Sequence, residues 1–492
     1  MKILSNSVSV LVLAVVLGAC ATTPPPTVKP EDMPKAYQAP VPDTKEQVSA
    51  DWWKSFNSKE LTAFIEEAHT GNLDLATAAA RVEQMQAQYG GDIATLIPTV
   101  SVNGGVTQSG QHGTKPNSQF TAGAGVASYE LDLWGRNFNG MRSGRENARA
   151  ALFNQDTVAI TTNANVANSY FTVLALRERV DVARRNIEAA KRILAITQAK
   201  VSNGVLSNLD LAQQTAQVLG EEASIPRLEE QEREARNALA ILLGRMPGTL
   251  KIEAVNLDGL QAPTVQAGVP ATLLTRRPDV KQAESSLMAA HADLDAARAA
   301  FLPGVTLNAS GGWHSSDWDR FINPQTLVWS LGATVVQAIF DGGKLTSQRD
   351  YYKGRENELL ASYRSAVLNA VSDTETQIGS VAAYSESERL TADQVKNAQE
   401  AFRISELQYR EGVVDLLTVL QAQQTLFSAQ DQLVQIKQAR LQSGVGLYRA
   451  LGGGWDVTQD ADKHLRNTFI PVPDLTDLPI PNPANIPAAL TF

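Results

Sequence analysis

The side chains that most often carry enzyme chemistry are few in this chain, and they are not clustered. The histidines are His69, His112, His291, His314 and His464. Their separations do not match the short spacings of metal-ligand motifs, and the sequence has no G-x-S-x-G motif and no phosphate-binding glycine loop. The glycine pairs that begin at positions 104, 311 and 342 fit strand or turn positions. We therefore expect no catalytic site and no bound metal.

One residue is placed for a covalent modification, and it is Cys20, the only cysteine among the 492 residues. It follows a leader with a positive charge at Lys2, an apolar stretch from Val8 to Leu17, and the small residues Gly18 and Ala19. This pattern is typical of a signal peptide, here residues 1–19, which is removed on export. A lone cysteine cannot form an intrachain disulfide, even in an oxidising compartment.

The cleavage region Leu17-Gly18-Ala19-Cys20 resembles a bacterial lipobox. The resemblance implies that Cys20 becomes the lipidated N-terminus, and that this covalent lipid is the only cofactor. Ala21, rather than Asp, follows the cysteine, which implies sorting to the outer membrane. The alternative is that Cys20 is an incidental small residue after an ordinary signal peptide.

Charge and hydropathy exclude two further classes of protein. The formal net charge of −9 gives no electrostatic support to nucleic-acid binding. After the leader, no stretch reaches the length of about 18 apolar residues that a membrane helix needs. Apart from the lipid, any membrane crossing must therefore use strands.

The chain contains one long unit twice. Asn72-Leu73-Asp74-Leu75 recurs as Arg277-Pro278-Asp279-Val280, 205 positions later. Asn203-Gly204-Val205 recurs as Glu411-Gly412-Val413, 208 positions later. A period of this length indicates a duplicated domain, because solenoid repeats are only about 20–50 residues long.

Proline-rich segments separate the repeats from each other and from both ends of the chain. Residues 20–50 are predicted to form an extended tether, 247–275 a connection between the repeats, and 455–492 a C-terminal tail. The first repeat is then 51–246 and the second is 276–454.

Within each repeat, glycines mark the ends of unusually long helices. Spans without proline predict long helices at 136–203 and 344–411, and the spans that follow, bounded by Gly204 and Gly244 and by Gly412 and Gly452, predict return helices at 205–244 and 413–451. A helix of about 68 residues is roughly 100 Å long, a length typical of coiled coils. The shorter return helix cannot cover it alone. A further helical segment of each repeat must therefore stack end to end on the return helix.

Four segments alternate apolar and polar residues, which is the period of a strand with one apolar face. They lie at about 97–108, 119–133, 304–314 and 326–340. Their length and the tryptophans Trp313 and Trp329 favour membrane strands over the alternative, a hairpin on a soluble core. Four strands cannot close a membrane barrel, and an open edge is not tolerated in lipid. The chain must therefore oligomerise, with two copies giving eight strands or three giving twelve.

Specific motifs occur in order along residues 50–455. They include Trp52-Trp53-x-x-Phe56, Asn72-x-Asp74-Leu75, Leu96-Ile97-Pro98, Tyr129-Glu130-Leu131-Asp132-Leu133-Trp134-Gly135-Arg136, Arg276-Arg277-Pro278-Asp279-Val280, Ala297-Arg298-Ala299-Ala300-Phe301-Leu302-Pro303 and Phe340-Asp341-Gly342-Gly343. Together they resemble the TolC-like outer-membrane factor family, in its lipoprotein (NodT-type) branch. The resemblance implies an α+β membrane protein: a homotrimer with a twelve-stranded β-barrel continuous with an α-helical coiled-coil barrel.

The resemblance also implies a location in the outer membrane and a role as the passive exit duct of a tripartite efflux system. The implied partners are a periplasmic membrane-fusion adaptor, an inner-membrane transporter of the resistance-nodulation-division type, and outer-membrane lipid. Efflux of drugs or other small molecules is favoured, because the chain has no Met or His cluster. The alternatives are a duct for type I secretion or metal efflux and, from a different class, a structural coiled-coil lipoprotein spacer.

The resemblance places a periplasmic gate at the helix tips. It implies that Tyr409 bonds Asp210 to hold the tip shut, and that Leu417 forms a hydrophobic constriction. The acidic rings of the family would fall on Thr418 and Gln421, which are not acidic. Asp415, three positions before Thr418, would supply a negative charge at a shifted position. The turn residues expected to contact the adaptor are Asn203, Gly204, Val205, Glu411, Gly412 and Val413.

Overall fold

A computed structural model of the chain describes residues 25, 27–40, 48–113, 115–261 and 265–455. The expected signal peptide, the lipidation residue Cys20 and residues 456–492 of the expected tail lie outside the described residues. Among the residues described, we find no helix that combines the length and the apolar character required to cross a membrane.

The two repeats run through the same series of helices and strands. The first comprises α1 (Lys59–Gly71), α2 (Leu73–Ala94), β1 (Ser101–Ser109), β2 (Asn117–Leu131), α3 (Arg136–Ser202) and α4 (Asn208–Leu242). The second comprises α5 (Leu273–Arg276), α6 (Pro278–Ala299), β3 (Gly304–Ser315), β4 (Leu327–Val336), α7 (Lys344–Arg410) and α8 (Leu416–Ala450). Short 3-10 helices lie at Pro30–Asp32, Trp52–Phe56, Pro270–Thr272, Trp318–Arg320 and Pro324–Thr326. The duplication in the sequence is thus a duplication of structure.

The ends of several elements differ from the expected ones by a few residues, for local reasons. β1 begins at Ser101 rather than near 97, because the N–H groups of Leu96 and Ile97 still donate to carbonyls of the preceding helical turn. The return helices begin at residues 208 and 416 rather than 205 and 413, because Ser207 and Asp415 are their N-caps. β4 ends at Val336, before the expected 340.

The long helices α3 and α7 set the dimensions of the molecule. Each contains 67 residues, which corresponds to roughly 100 Å. Gly204 and Gly412 follow these helices with φ of 73° and 80°, in the left-handed region that glycine adopts at little cost. The chain therefore reverses at the same end of both long helices, and α4 and α8 pack back along them.

Each return helix meets a shorter helix of its repeat end to end. Asn72, the N-cap of α2, donates from Nδ2 to the carbonyl oxygen of Leu242 at 2.8 Å. Arg277, the N-cap of α6, donates from Nη1 to the carbonyl oxygen of Ala450 at 3.1 Å. Asn72 and Arg277 are equivalent positions of the 205-residue repeat. The structure therefore has the end-to-end stacking that the helix lengths predict.

The described strands form one antiparallel sheet in the order β1-β2-β3-β4. Residue partners include Val106 with Phe120 across β1 and β2. Gly123 and Gly312 face each other across β2 and β3, and a Cβ on either would lie within 2.7 Å of a backbone atom of the other strand. Glycine therefore permits this close pairing. The edge strands β1 and β4 are exposed along their whole length in the single chain.

A packed belt at the level of the helix junctions joins the two repeats to each other and to the segment between them. The ring of Trp52 stacks on that of Tyr448, with centroids 5.4 Å apart. The inter-repeat segment is fixed by Arg177 of α3, whose Nη1 donates to the carbonyl oxygens of Ile252 and Ala254 at 2.9 and 2.7 Å. The belt therefore holds the stacked helices in register, with the sheet at one end and the turns at the other.

Candidate gate at the helix tips

The expected gate residues lie at the two turns farthest from the sheet. We call residues 203–207, between α3 and α4, tip 1, and residues 411–415, between α7 and α8, tip 2. Ser207 and Asp415 end these turns, and the side chain of each accepts a hydrogen bond from a backbone N–H three residues on. The residues expected to contact an adaptor are all exposed: Asn203, Gly204, Val205, Glu411, Gly412 and Val413.

Tyr409 is the most enclosed of the expected gate residues, with 1% of its surface exposed. Its hydroxyl lies 2.8 Å from Oγ1 of Thr197 on α3. Thr197 donates its own hydroxyl hydrogen to the carbonyl oxygen of Ile193 at 2.9 Å, so Tyr409 is the donor to Thr197. Burial raises the pKa of the Tyr409 phenol, and the Thr197 hydrogen bond partly offsets that rise.

Lys200 contacts the same tyrosine from one helical turn away. Its Nζ lies 4.5 Å from the centroid of the Tyr409 ring, a cation–π distance. The ammonium also donates to the backbone carbonyl oxygen of Tyr409. We call Tyr409, Thr197 and Lys200 the Tyr409 clamp, because together they join the ends of α3 and α7.

The expected hydrogen bond between Tyr409 and Asp210 does not form between these two described residues. Asp210 is instead part of the α4 N-cap, where its Oδ2 accepts from the backbone N–H of Ser207 at 2.9 Å and from the Ser207 hydroxyl at 2.7 Å. These bonds hold the pKa of the Asp210 carboxyl below its ordinary value. The N-cap of α4 thus engages the carboxylate that was expected to bond the tyrosine.

At tip 2, Asp415 is itself the N-cap residue, the position that Ser207 holds at tip 1. Its Oδ1 accepts from the Thr418 hydroxyl at 2.6 Å and from the Thr418 backbone N–H at 2.9 Å, and these bonds lower the pKa of the carboxyl. Leu417 and Gln421 are exposed and lie one helical turn apart on α8. Asp415 and Thr418 are exposed as well, but their side chains bond each other, whereas Leu417 is an exposed apolar side chain.

Beneath the tips, apolar side chains of α3, α7 and α8, with Val218 of α4, form a cluster, which we call the tip cluster. It includes Ile193, Phe402, Tyr409, Val419 and Phe427. This packing fixes the position of the Tyr409 clamp. An ion pair between Arg192 Nε and Glu406 Oε1, at 3.7 Å, joins α3 and α7 just above it.

Sequence reasoning missed Thr197, Lys200 and the role of the buried histidine. Thr197 and Lys200 stand among many polar residues of α3, and only the tertiary contact with Tyr409 distinguishes them. His291 of α6 lies 2.6 Å from Oε1 of Glu356 on α7 through its Nδ1, so it joins two helices. Within the described part of the chain, no group of His, Cys, Asp or Glu side chains is arranged to hold a metal ion.

The strands of the sheet alternate apolar and polar residues, and they continue into helices of 67 residues that turn at two tips. This architecture defines an outer-membrane channel of the trimeric, helical-barrel class. A family model described as outer membrane efflux protein matches residues 64–245 and 269–453. The chain therefore belongs to the outer membrane efflux protein family.

Relatives and solved structures agree with this assignment. The chain is 37% identical over 464 residues to the pyoverdine export outer membrane protein OpmQ of Pseudomonas aeruginosa. The aligned region covers 92% of this chain and 97% of that protein. The chain is 29% identical over 411 residues to the cation efflux system protein CusC of Escherichia coli, covering 83% and 89%. The outer-membrane channel OprN superposes with a TM-score of 0.82 at 26% identity, over 88% of this chain and 99% of that chain. The open state of the Neisseria gonorrhoeae MtrE channel superposes with a TM-score of 0.81 at 27% identity, over 88% and 98%.

These findings confirm the family resemblance, the fold class and the outer-membrane location predicted from the sequence. The fold is that of trimeric channels, in which four strands from each of three chains form a β-barrel of twelve, continuous with a helical barrel. The chain is an efflux channel and not an enzyme, because the family consists of passive channels. Channels of this family act in tripartite systems with an adaptor and an inner-membrane pump.

Proposed function

We propose that this channel is the exit duct for small organic molecules, which an inner-membrane transporter of the resistance-nodulation-division type delivers through a periplasmic adaptor. The observation that carries the proposal is the end-to-end similarity to a protein named for pyoverdine export. Two relatives from Pseudomonas putida, each 32% identical, are named for antibiotic and toluene efflux. The cargo in these names is organic in each case, which favours organic cargo here.

A metal-ion duct is the second candidate, because CusC is named as part of a cation efflux system. A duct that selects soft metal ions is expected to present thiolate, thioether or imidazole ligands. The described residues contain no group of His, Cys, Asp or Glu arranged as a metal site, and the sequence has only 6 methionines and 5 histidines. These properties favour organic cargo over metal ions.

The alternating strands provide the conducting wall. In β4, Leu327, Trp329 and Leu331 share one face of the strand, and Ser330 and Thr334 share the other. In the trimeric barrel the apolar face meets lipid and the polar face lines the pore. The duct itself supplies no driving force, so the direction of transport comes from the pump.

We assign the gate to the two tips, with the Tyr409 clamp as the contact that holds α7 against α3. The clamp is enclosed, it joins the ends of two long helices, and it lies next to the exposed Leu417 and Gln421. Separation of α7 and α8 from α3 would break the Thr197 hydrogen bond and the Lys200 contacts together. Asp415 and Asp210 contribute by capping the return helices.

Deletion and complementation of the gene in its own host tests the cargo assignment. Loss of the channel should raise the accumulation of a fluorescent efflux dye and reduce the amount of secreted siderophore or other small organic product. Copper and silver tolerance should be unchanged. A loss of metal tolerance with normal dye efflux would instead assign the metal-ion duct.

The tips can be tested as the adaptor contact by site-specific crosslinking. A photo-crosslinking amino acid at Val205 or Val413, both exposed at the tips, should capture the adaptor. Val255, which is similarly exposed in the inter-repeat segment, is the matched control and should give less of that product. Equal capture from all three positions would contradict tip docking.

A further inference from the structure

Gln423 is a polar side chain buried in the tip cluster. It lies on α8, about two turns after the Asp415 cap, and it is 0% exposed. Val419, Leu426 and Phe427 lie one helical turn away on the same face and are also buried. Gln423 therefore lies on the face of α8 that contributes to the tip cluster.

Neither polar atom of this amide is satisfied by the protein. Among the described residues, Gln423 is alone in having both the oxygen and the nitrogen of a side-chain amide inaccessible to solvent and without a hydrogen-bond partner. Because the surrounding side chains of its own chain already enclose these atoms, a neighbouring subunit cannot reach them. Burial of an amide without hydrogen bonds is unfavourable. The packed tip therefore contains a group that would be more stable in water.

Gln214, on the other return helix, shows the contrast. It is also 0% exposed, but its Nε2 donates to the carbonyl oxygen of Ala190 on α3 at 2.9 Å, although its Oε1 has no partner. This bond joins α4 to α3. Gln424, the residue after Gln423, accepts from Nε2 of Gln217 at 3.4 Å. The next residue along α8 thus has a polar partner, whereas the amide of Gln423 has none.

We propose that Gln423 shifts the equilibrium of the gate toward the open tip, because its unsatisfied amide disfavours the packed tip and so promotes separation of α8 from α3 and α7. The inference rests on the proposed function, in which tip 2 is part of the gate. Separation hydrates both amide atoms, and repacking removes that hydration again. The Tyr409 clamp acts in the opposite direction within the same cluster. The equilibrium between the packed and the separated tip thus depends on two opposing groups, the hydrogen-bonded Tyr409 clamp and the unsatisfied amide of Gln423.

The Gln423→Met variant tests this balance, because methionine keeps a similar length and shape without the polar atoms. In purified full-length trimers, hydrogen exchange of the backbone amides in 416–427 should slow by about tenfold, since each tenfold corresponds to about 1.4 kcal/mol. Spontaneous openings in planar bilayers should become rarer by a similar factor. Gln214→Met is the matched control, and it should not slow exchange because it loses the bond to Ala190.

The outcomes separate this inference from the gate assignment. Unchanged or faster exchange in Gln423→Met would overturn the inference, because it would mean that the amide is satisfied in the packed tip. If Tyr409→Phe opens more often but Gln423→Met does not change the openings, the gate assignment stands and the inference fails. If neither variant changes the openings, the tips are not the gate and the proposed function fails at that point.

Discussion

The hydroxyl of Tyr409 on α7 donates to the hydroxyl of Thr197 on α3 across 2.8 Å. These residues are 212 positions apart in the sequence. They lie near the tips of two antiparallel helical hairpins, α3–α4 and α7–α8. The contact therefore joins the two repeats at the point where the chain turns. Tyr409 bonds the long helix of the other repeat, not the return helix that carries Asp210.

Tyr409→Phe and Thr197→Val should show an energetic coupling of about 0.5–1.5 kcal/mol per protomer, the usual contribution of one hydrogen bond. Tyr409→Phe and Asp210→Asn should show almost none, because Asp210 bonds Ser207. The ratio of open to closed times in planar bilayers measures both cycles. A larger coupling for the Asp210 pair would restore the latch expected from the family resemblance.

The tips should loosen in acid. The pKa values of the Asp210 and Asp415 carboxyls are lowered from 3.8 by capping hydrogen bonds. A carboxyl with a lowered pKa stabilises the folded tip above its unfolded pKa, and that stabilisation is lost as the pH falls through the folded pKa. Channel openings should therefore become more frequent below about pH 4.

Asp415→Asn is the matched control for this pH dependence, because asparagine is also a good N-cap but does not titrate. Its openings should depend less on pH than those of the wild type. An acid response of the same size in Asp415→Asn and in the corresponding Asp210→Asn variant would mean that other groups control it.

The junction between α4 and α2 should not tolerate a side chain at Gly244. This residue has a φ of 71°, and a Cβ there would lie 2.0 Å from the carbonyl oxygen of Gly71. We expect Gly244→Ala to destabilise the helical domain by at least about 1–2 kcal/mol, the cost of the left-handed conformation alone. Gly220→Ala, in the open middle of α4, should instead stabilise by about 0.5–1 kcal/mol. Thermal unfolding followed by circular dichroism distinguishes them.

Cys20 should be the attachment site of a lipid. Cys20→Ser should abolish incorporation of a palmitate analogue during growth, because the sequence contains no other cysteine. The signal that directs export is unchanged in this variant, so the chain should still reach the cell envelope. Labelling that persists in Cys20→Ser would place the lipid elsewhere and contradict the lipobox interpretation.

The amino-acid sequence by itself determined the duplication, the lengths of the long helices and the alternating strands. These features depend on local rules: helices end at residues such as Gly204 and Gly412, and a strand repeats its face every second residue. The ordered motifs added the family, and with it the channel and its location. The predicted ends of β1 and of the return helices differ from the observed ends by only a few residues, because local hydrogen bonds and N-caps set where these elements begin.

Only the tertiary structure decided which side chains meet at the tips. Whether Tyr409 bonds Asp210 of α4 or Thr197 of α3 depends on how α7 as a whole packs against these two helices. The sequence shows that Gln423 is polar, but not that its amide is fully buried without a hydrogen-bond partner. Such contacts arise between residues far apart in the chain, because packing of whole helices, and not local spacing, brings them together.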